Sequence, residues 1–285
     1  MDAKQLLQLI EAFSEQSPLN VVTSEQALSP EMTGLRMYEA PLVGFAAADD
    51  PGFLALKETN EAIGPHFMLP DFWLPGAKTV LSLFFPFTAR VKESNRDGEK
   101  PSLEWYQARI EGHRFVAAAC EYIKEILAAD GFAAIIPSQD SRFASSSPKK
   151  AIEGFPETLG QFTCNWSERH VAYVCGLGTF GLSRGLLTAK GVAGRIGSVV
   201  TDLSLPATPK TYDEPFAHCT LCGACAANCP AAAIDMEKGI AKAKDNPLCS
   251  DFLGTTRLPT GHYGCGKCQV LVPCESGFPQ AEAQA

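Results

Sequence analysis

No stretch of about 20 consecutive apolar residues occurs in this sequence, so it predicts no transmembrane helix. The opening residues, Met1-Asp-Ala-Lys-Gln-Leu-Leu-Gln-Leu-Ile-Glu11, lack a basic region, a long apolar run and a paired arginine. Those are the marks of export signals, and without them the expected location is cytoplasmic. An excess of positive charge is missing too: 24 Lys and Arg stand against 32 Asp and Glu, for a net charge of −8 and a pI near 5.2. Broad binding to nucleic acid or to anionic membrane is therefore not expected, although a local basic patch would escape this bulk argument. Disorder is excluded by composition, because 46% of the residues are hydrophobic and can bury a core. No internal repeat stands out beyond two sets of cysteines. Eight of the eleven cysteines cluster at metal-ligand spacing, which fits a reducing, low-oxygen cell better than an exported disulfide protein.

The cysteines are what the chain has most distinctively. Cys219, Cys222, Cys225 and Cys229 fall at spacings of three, three and four, and Pro230 follows. This is the C-x2-C-x2-C-x3-C-P run of bacterial-type ferredoxins, in which the fourth cysteine ligates the other cluster of a pair. A second set should exist, and Cys249, Cys265, Cys268 and Cys274 supply it. Ferredoxin connectivity assigns Cys219, Cys222, Cys225 and Cys274 to one 4Fe–4S cluster, and Cys249, Cys265, Cys268 and Cys229 to the other. Two structural zinc sites are the alternative, but zinc sites usually take cysteine pairs separated by a longer loop. Cys120, Cys164 and Cys175 remain unassigned.

Along the chain, Leu6, Leu7, Ile10 and Phe13 sit at helical spacing, and residues 41–46 read as a short buried strand. Asp50-Pro51 starts a helix, with Phe53, Leu54, Leu56 and Ile63 toward the core. The continuous apolar run within 75–86 suits a central strand covered on both faces. Residues 90–101 are charged and turn-rich, so an exposed loop is expected there. The longest helix runs from Leu103 to Ala129, and residues 132–136 return to the sheet. This β, α, β, α, β order points to an α/β or α+β domain, with strand direction undecided. Residues 137–165 carry few regular signals, which marks either a functional segment or a plain surface loop. Asn165 with Glu168 three residues on resembles a capping box opening a helix.

Gly176-Leu-Gly178-Thr-Phe-Gly181 is a literal G-x-G-x-x-G, and Asp202 follows at the end of a strand-like stretch. A dinucleotide site would need an unbroken crossover helix between them. Gly185, Gly191 and Gly194 interrupt it, each at about 1 kcal/mol relative to alanine. A proline-bearing linker, 206–215, leads into the cysteine-rich stretch. Two domains are expected, 1–205 and 206–285.

Four pieces occur together in order: Leu74-Pro-Gly-Ala-Lys-Thr-Val-Leu-Ser82, the helix around Tyr106 and His113, Glu168-Arg169 with Gly176, Gly178 and Gly181, and the cysteine sets ending in Gly264-Cys-Gly-Lys-Cys268-Gln269. From about residue 40 to 275 the chain resembles the epoxyqueuosine reductase and reductive dehalogenase superfamily. The resemblance implies a nitroreductase-like α/β domain joined to a ferredoxin-like domain. It also implies base-off cobalamin, two 4Fe–4S clusters, an external low-potential electron donor and a small-molecule substrate. Gly176, Gly178 and Gly181 would let the backbone lie close to the corrin. The chain departs from the pattern as well. The aspartate that serves epoxyqueuosine reductases as proton donor is missing from Gly160-Gln-Phe-Thr-Cys164-Asn165, and so is the tyrosine of the dehalogenases. The helical-repeat extension is absent, which removes one reason to expect tRNA. Candidates for the acid are Cys164, His170, Tyr173 and Asp140, with Arg142 beside the last. The resulting expectation is a cobalamin-dependent iron–sulfur reductase; a pure electron-transfer protein is the alternative.

Overall fold

A computed structural model describes residues 1–59 and 62–280; the last five residues of the expected second domain lie outside the described residues. Asp2 caps the opening helix α1 (Ala3–Gln16) with a reciprocal capping box to Gln5, and Leu6 and Ile10 are buried. Strand β1 (Leu42–Ala47) leads to α2 (Pro51–Glu58), whose start is fixed by Pro51 and the Asp50 side chain. A single turn, α3 (Pro70–Trp73), precedes β2 (Thr79–Pro86). Then come α4 (Ala89–Ser94), α5 (Leu103–Ala129) and the two-residue strand β3 (Ala134–Ile135). After an irregular segment follow α6 (Glu168–Val174), β4 (Gly178–Phe180), β5 (Leu186–Thr188) and β6 (Gly194–Thr201). The cysteine-rich stretch contributes only α7 (Ala224–Ala227) and α8 (Asn246–Thr255).

The sheet order is β1-β2-β6-β3, and every pairing is antiparallel. The fold is therefore α+β rather than α/β. All eight residues of β2 are buried because both faces of the sheet are covered. Leu81, Leu83 and Phe85 pack with Phe115, Ile123 and Leu127 of α5 on one face. Val80 and Val200 pack with Phe53 of α2, Trp73, Trp166 and Val171 of α6 on the other. Each such side chain contributes about 1.5–3 kcal/mol by leaving water. Coverage, not strand direction, produces the continuous apolar run.

Two local expectations are corrected, and the rejection of a crossover helix after the glycines is upheld. Residues 90–101 are not simply an exposed loop: α4 occupies their start, with Val91, Lys92 and Asn95 buried. Asn165 does not cap α6. The cap is Ser167, two residues later, and the Asn165 side chain instead accepts from Ala144 N and donates to Arg142 O, both at 2.9 Å. The G-x-G-x-x-G stretch forms a hairpin of β4 with β5, with no crossover helix after it. No helix among the described residues is long and apolar enough to cross a membrane.

Candidate functional site

Each cysteine set of the sequence lines its own cavity. Cys219, Cys222, Cys225 and Cys274 surround a small one of about 20 Å³, with Leu182, Leu187 and Val272 as apolar wall. That leaves room for little beyond a group the thiols themselves would hold. Cys229, Cys249, Cys265 and Cys268 line one side of a far larger cavity of about 850 Å³. Burial, and then the charge of neighbouring thiols, pushes Cys225 and Cys274 up to about 12 and Cys265 up to about 11. Four crowded, half-buried thiols resist ionising together unless a cationic group accepts them, which is the situation of metal ligands.

The loops that carry the thiols are tightly specified. Leu221, Ala232 and Leu271 have positive φ (56, 46 and 53°), and Arg184 is the other such non-glycine among the described residues. Left-handed backbone at such residues costs on the order of 1–3 kcal/mol and persists only where surroundings impose it. Here they do. Asn228 Nδ2 donates to Val270 O and Leu271 O, both at 3.0 Å, and Leu271 N donates to Glu275, which Arg96 pairs at 2.6 Å. Asn95 Nδ2 donates to Cys265 O, and Lys267 Nζ donates back to Asn95 O at 2.8 Å. The backbone N–H of Ala233 points at Cys229 Sγ, 3.3 Å away.

Opposite the second thiol set, the large cavity is walled by the main body of the fold. Helix α5 contributes Trp105, Arg109 and His113; β2 and β6 contribute Phe84, Arg195 and Ile196; the irregular segment contributes Ser138 and Cys164; α6 contributes Glu168 and Arg169. Burial pulls Arg195 down to about 10, and the like charges of Arg109 and Arg169 add to the shift. None of Arg109, Arg169 and Arg195 has a carboxylate within ion-pairing distance among the described residues. An acidic protein thus encloses a basic chamber. Arg109 lies 3.8 Å over the Tyr263 ring, and its hydrogen bond and charge lower the Tyr263 hydroxyl. His113 is lowered by burial and by Arg195 and Arg109.

Of the four candidate acids, Cys164 alone lines this cavity. Its Sγ donates to Trp166 O at 3.0 Å, and burial pushes the thiol up to about 12. His170 turns toward Phe180 and bonds Ser167 through Nδ1 at 2.8 Å, while burial pulls it down to about 3. Tyr173 stacks on Tyr212, away from the cavity. Asp140 pairs Arg142 at 2.7 Å, and Arg142 donates to Phe72 O and Trp73 O, so both staple the irregular segment to α3.

Gly176 and Gly178 do not line the large cavity, and Gly181 lines only the small one. Packing accounts for two of them: a Cβ on Gly178 would sit 1.9 Å from Leu187 O, and one on Gly181 2.6 Å from the Leu187 side chain. The residue whose chemistry sequence reasoning missed is Glu168, read there as a capping residue and as part of the Glu168-Arg169 motif but not as a candidate acid. Its two carboxyl oxygens are buried and lack hydrogen-bond partners. Burial pushes the carboxyl up to about 7, opposed by the hydroxyls of Ser198 and Ser138.

The sequence matches no protein-family model and no curated protein. Solved structures do match. A selenomethionine-labelled epoxyqueuosine reductase aligns with 98% of this chain and 68% of its own, at 17% identity and a TM-score of 0.50. An epoxyqueuosine reductase bound to a modified tRNA-Tyr stem loop gives 98%, 67%, 17% and 0.50. A catabolic reductive dehalogenase, NpRdhA, aligns over 83% of this chain and 30% of its own, at 17% identity and a TM-score of 0.48. The structural neighbours are thus the superfamily that the motifs resemble. This chain has the fold of epoxyqueuosine reductase, over about two thirds of that protein's length.

Proposed function

We propose that the protein is a reductase that passes electrons through two 4Fe–4S clusters to a cobalamin in the large cavity, where a small or modified organic substrate is reduced. One observation carries this reading: the second thiol set forms a wall of the same cavity of about 850 Å³ that the main body of the fold encloses. A protein that only relayed electrons would need no such chamber.

The residues fit the groups. Among the described residues, no three His, Cys, Asp or Glu side chains converge closely enough to hold a single ion. The thiols of the second set stand around a roomy cavity instead, as a cluster with its own bulk requires; zinc needs four donors about 2.3 Å from one point. Cys222 is exposed, so the first set faces an external low-potential donor while the second faces the chamber. The chamber is near the upper end of the roughly 300–1,000 Å³ range of ligand sites. Phe84, Trp105 and Ile196 give it an apolar wall, and the unpaired Arg109, Arg169 and Arg195 offer donors to anionic or amide groups. Cobalamin, when bound, supplies a low-valent, strongly nucleophilic metal centre. The net charge of −8 gives no reason to include nucleic acid or membrane as partner.

Anaerobic purification tests the reading. About eight irons per chain with matching sulfide are expected from two 4Fe–4S centres. Cobalamin added to the protein should be retained through gel filtration with a base-off spectrum; if cobalt elutes free, the reductase reading fails. Cys225→Ser should disturb the EPR signal of one cluster and Cys229→Ser that of the other. Loss of the same centre in both variants would reject the crossed connectivity.

A further inference from the structure

The geometry points to Glu168 as the acid of the large cavity: a carboxyl that holds a proton between turnovers and gives it to the carbon left by reductive bond cleavage. The inference rests on the reductase reading for its reaction and on this chain's own residues for its location. In the Gly160–Asn165 neighbourhood where the superfamily's proton donor is expected, the chain has no carboxylate. Glu168 stands at the start of α6, four residues beyond Cys164, and both residues line the chamber.

Three properties make Glu168 suitable. Its oxygens are shielded from solvent and meet no donor in full hydrogen-bond geometry; only the Ser198 and Ser138 hydroxyls come near, so no ion pair fixes the group in one charge state. An ionised carboxylate without partners in such a place is strongly disfavoured, so the neutral form persists to near neutral pH. The surroundings supply no competing base. From α5 it is approached by Cys120, from the loop before it by Cys164, and from the far end of its own helix by Cys175, three thiols that its charge would push further up. Ser198 of β6 and Ser138 offer hydroxyls, and Arg169 is its neighbour on α6.

The other titratable groups of the chamber suit the task less well. His113 is held neutral by burial and two arginines. The Cys164 proton is engaged by Trp166 O and bound too tightly at about 12. Tyr263 lies beneath Arg109, which favours its ionised form.

The step balances as R–X + 2e⁻ + H⁺ → R–H + X⁻. The C–X bond breaks and X leaves with the bonding pair. Two electrons come from the low-potential donor through the clusters. The new C–H bond takes the Glu168 proton by way of the Ser138 hydroxyl, which lines the chamber beside the shielded carboxyl, and the carboxylate left behind regains one from water along the same route. Electrons arriving in the same low-dielectric chamber disfavour a second negative charge, so reduction itself keeps the acid charged with its proton.

A hydrophobic carbodiimide tests the first half, because it adds to protonated carboxyls and enters apolar cavities. Dicyclohexylcarbodiimide on the intact protein, mapped by peptide mass, should label Glu168 at pH 6 and about tenfold more slowly at pH 8, as a group titrating near 7 requires. No adduct on Glu168, or an equal rate at both pH values, overturns the inference. The second half uses cobalamin-loaded protein, titanium(III) citrate and an organic bromide such as 4-bromophenol. Glu168→Gln should keep cobalamin and reducible clusters yet lose bromide release by about 100-fold or more, with Glu168→Asp between it and wild type. Release by Glu168→Gln at the wild-type rate assigns the proton to another group and overturns the inference. Wild-type protein that never releases bromide counts against the reductase reading, and the carbodiimide result then decides Glu168 by itself.

Discussion

Gly266 lies between Cys265 and Cys268 with φ of +72°, and a Cβ there would stand 1.9 Å from the buried Trp105 indole. Strain in the left-handed region costs roughly 1–2 kcal/mol for any other L-residue, and forcing a methyl into a packed ring adds about 1–3 kcal/mol. Gly266→Ala is therefore expected to lose more than about 2 kcal/mol in denaturant unfolding, and to shift the signal of the second cluster. Gly254 is the contrast: it is exposed in α8, has no positive φ, and a Cβ would meet nothing within 4 Å. Gly254→Ala should stabilise the protein by about 0.5–1 kcal/mol, the ordinary helix preference. The same contrast explains which site residues were legible in the sequence. Cysteine sets announce themselves by spacing, because a cluster must be wrapped by a short loop. Glu168 carries no such spacing. Its chemistry is set by Cys120 of α5, Ser198 of β6 and Ser138, which the fold brings in from far away in the sequence.

Among the elements, α5 was fully legible, since its apolar stripe runs unbroken from Leu103 to Ala129 behind the Ser102 cap. Its second task was not. The first turns of α5 serve the cysteine-rich stretch rather than the sheet: Tyr106 Oη donates to Thr256 O at 2.8 Å, and Glu111 meets His262 Nε2 at 3.2 Å and Gln107 Nε2 at 2.8 Å. Removing one partner of a buried polar cluster strands the others, at about 1–3 kcal/mol for each group left unsatisfied. Glu111→Ala should lower stability by about that much, and hydrogen exchange should rise first around residues 256–262. Uniform exchange across the sheet instead would show that α5 does not anchor the cysteine-rich stretch. Helix α4 teaches the same lesson. Its charged sequence reads as solvent-facing, yet Lys92 donates to Ser276 and Asn95 to Cys265 O. Polar residues that satisfy distant backbone look like surface residues until the fold is known. Strand direction was hidden for a related reason, since an antiparallel strand covered on both faces has the apolar run of a parallel one.

At the scale of the whole molecule, the fold keeps its unpaired charge inside. The chain is acidic overall, while its large cavity gathers three arginines without carboxylate partners among the described residues, beside the shielded carboxyl of Glu168. That arrangement should be visible in how stability depends on pH. Glu168 titrates near 7 in the fold against 4.5 as an ordinary carboxyl. Below 4.5 both folded and unfolded chains hold its proton, and it contributes no slope. Between 4.5 and about 7 the folded protein keeps a proton that the unfolded chain has released, so stability falls as pH rises. At about 1.4 kcal/mol per unit the accumulated loss is on the order of 3 kcal/mol above neutral pH. His170 has the opposite sign. Held down to about 3 against 6.5, it stays neutral in the fold while the unfolded chain binds a proton, so its share of stability grows as pH rises through that window. The two slopes oppose each other between 4.5 and 6.5, which flattens the wild-type profile and masks both groups. Glu168→Gln unmasks them. In anaerobic urea titrations across pH 4 to 8, the variant should match wild type at the acid end apart from a constant offset. It should then gain on wild type steadily, by on the order of 3 kcal/mol by pH 8. A stability gap that does not change with pH would mean that the Glu168 carboxyl is charged and compensated in the folded protein, and the chamber would then hold no acid with a proton to give.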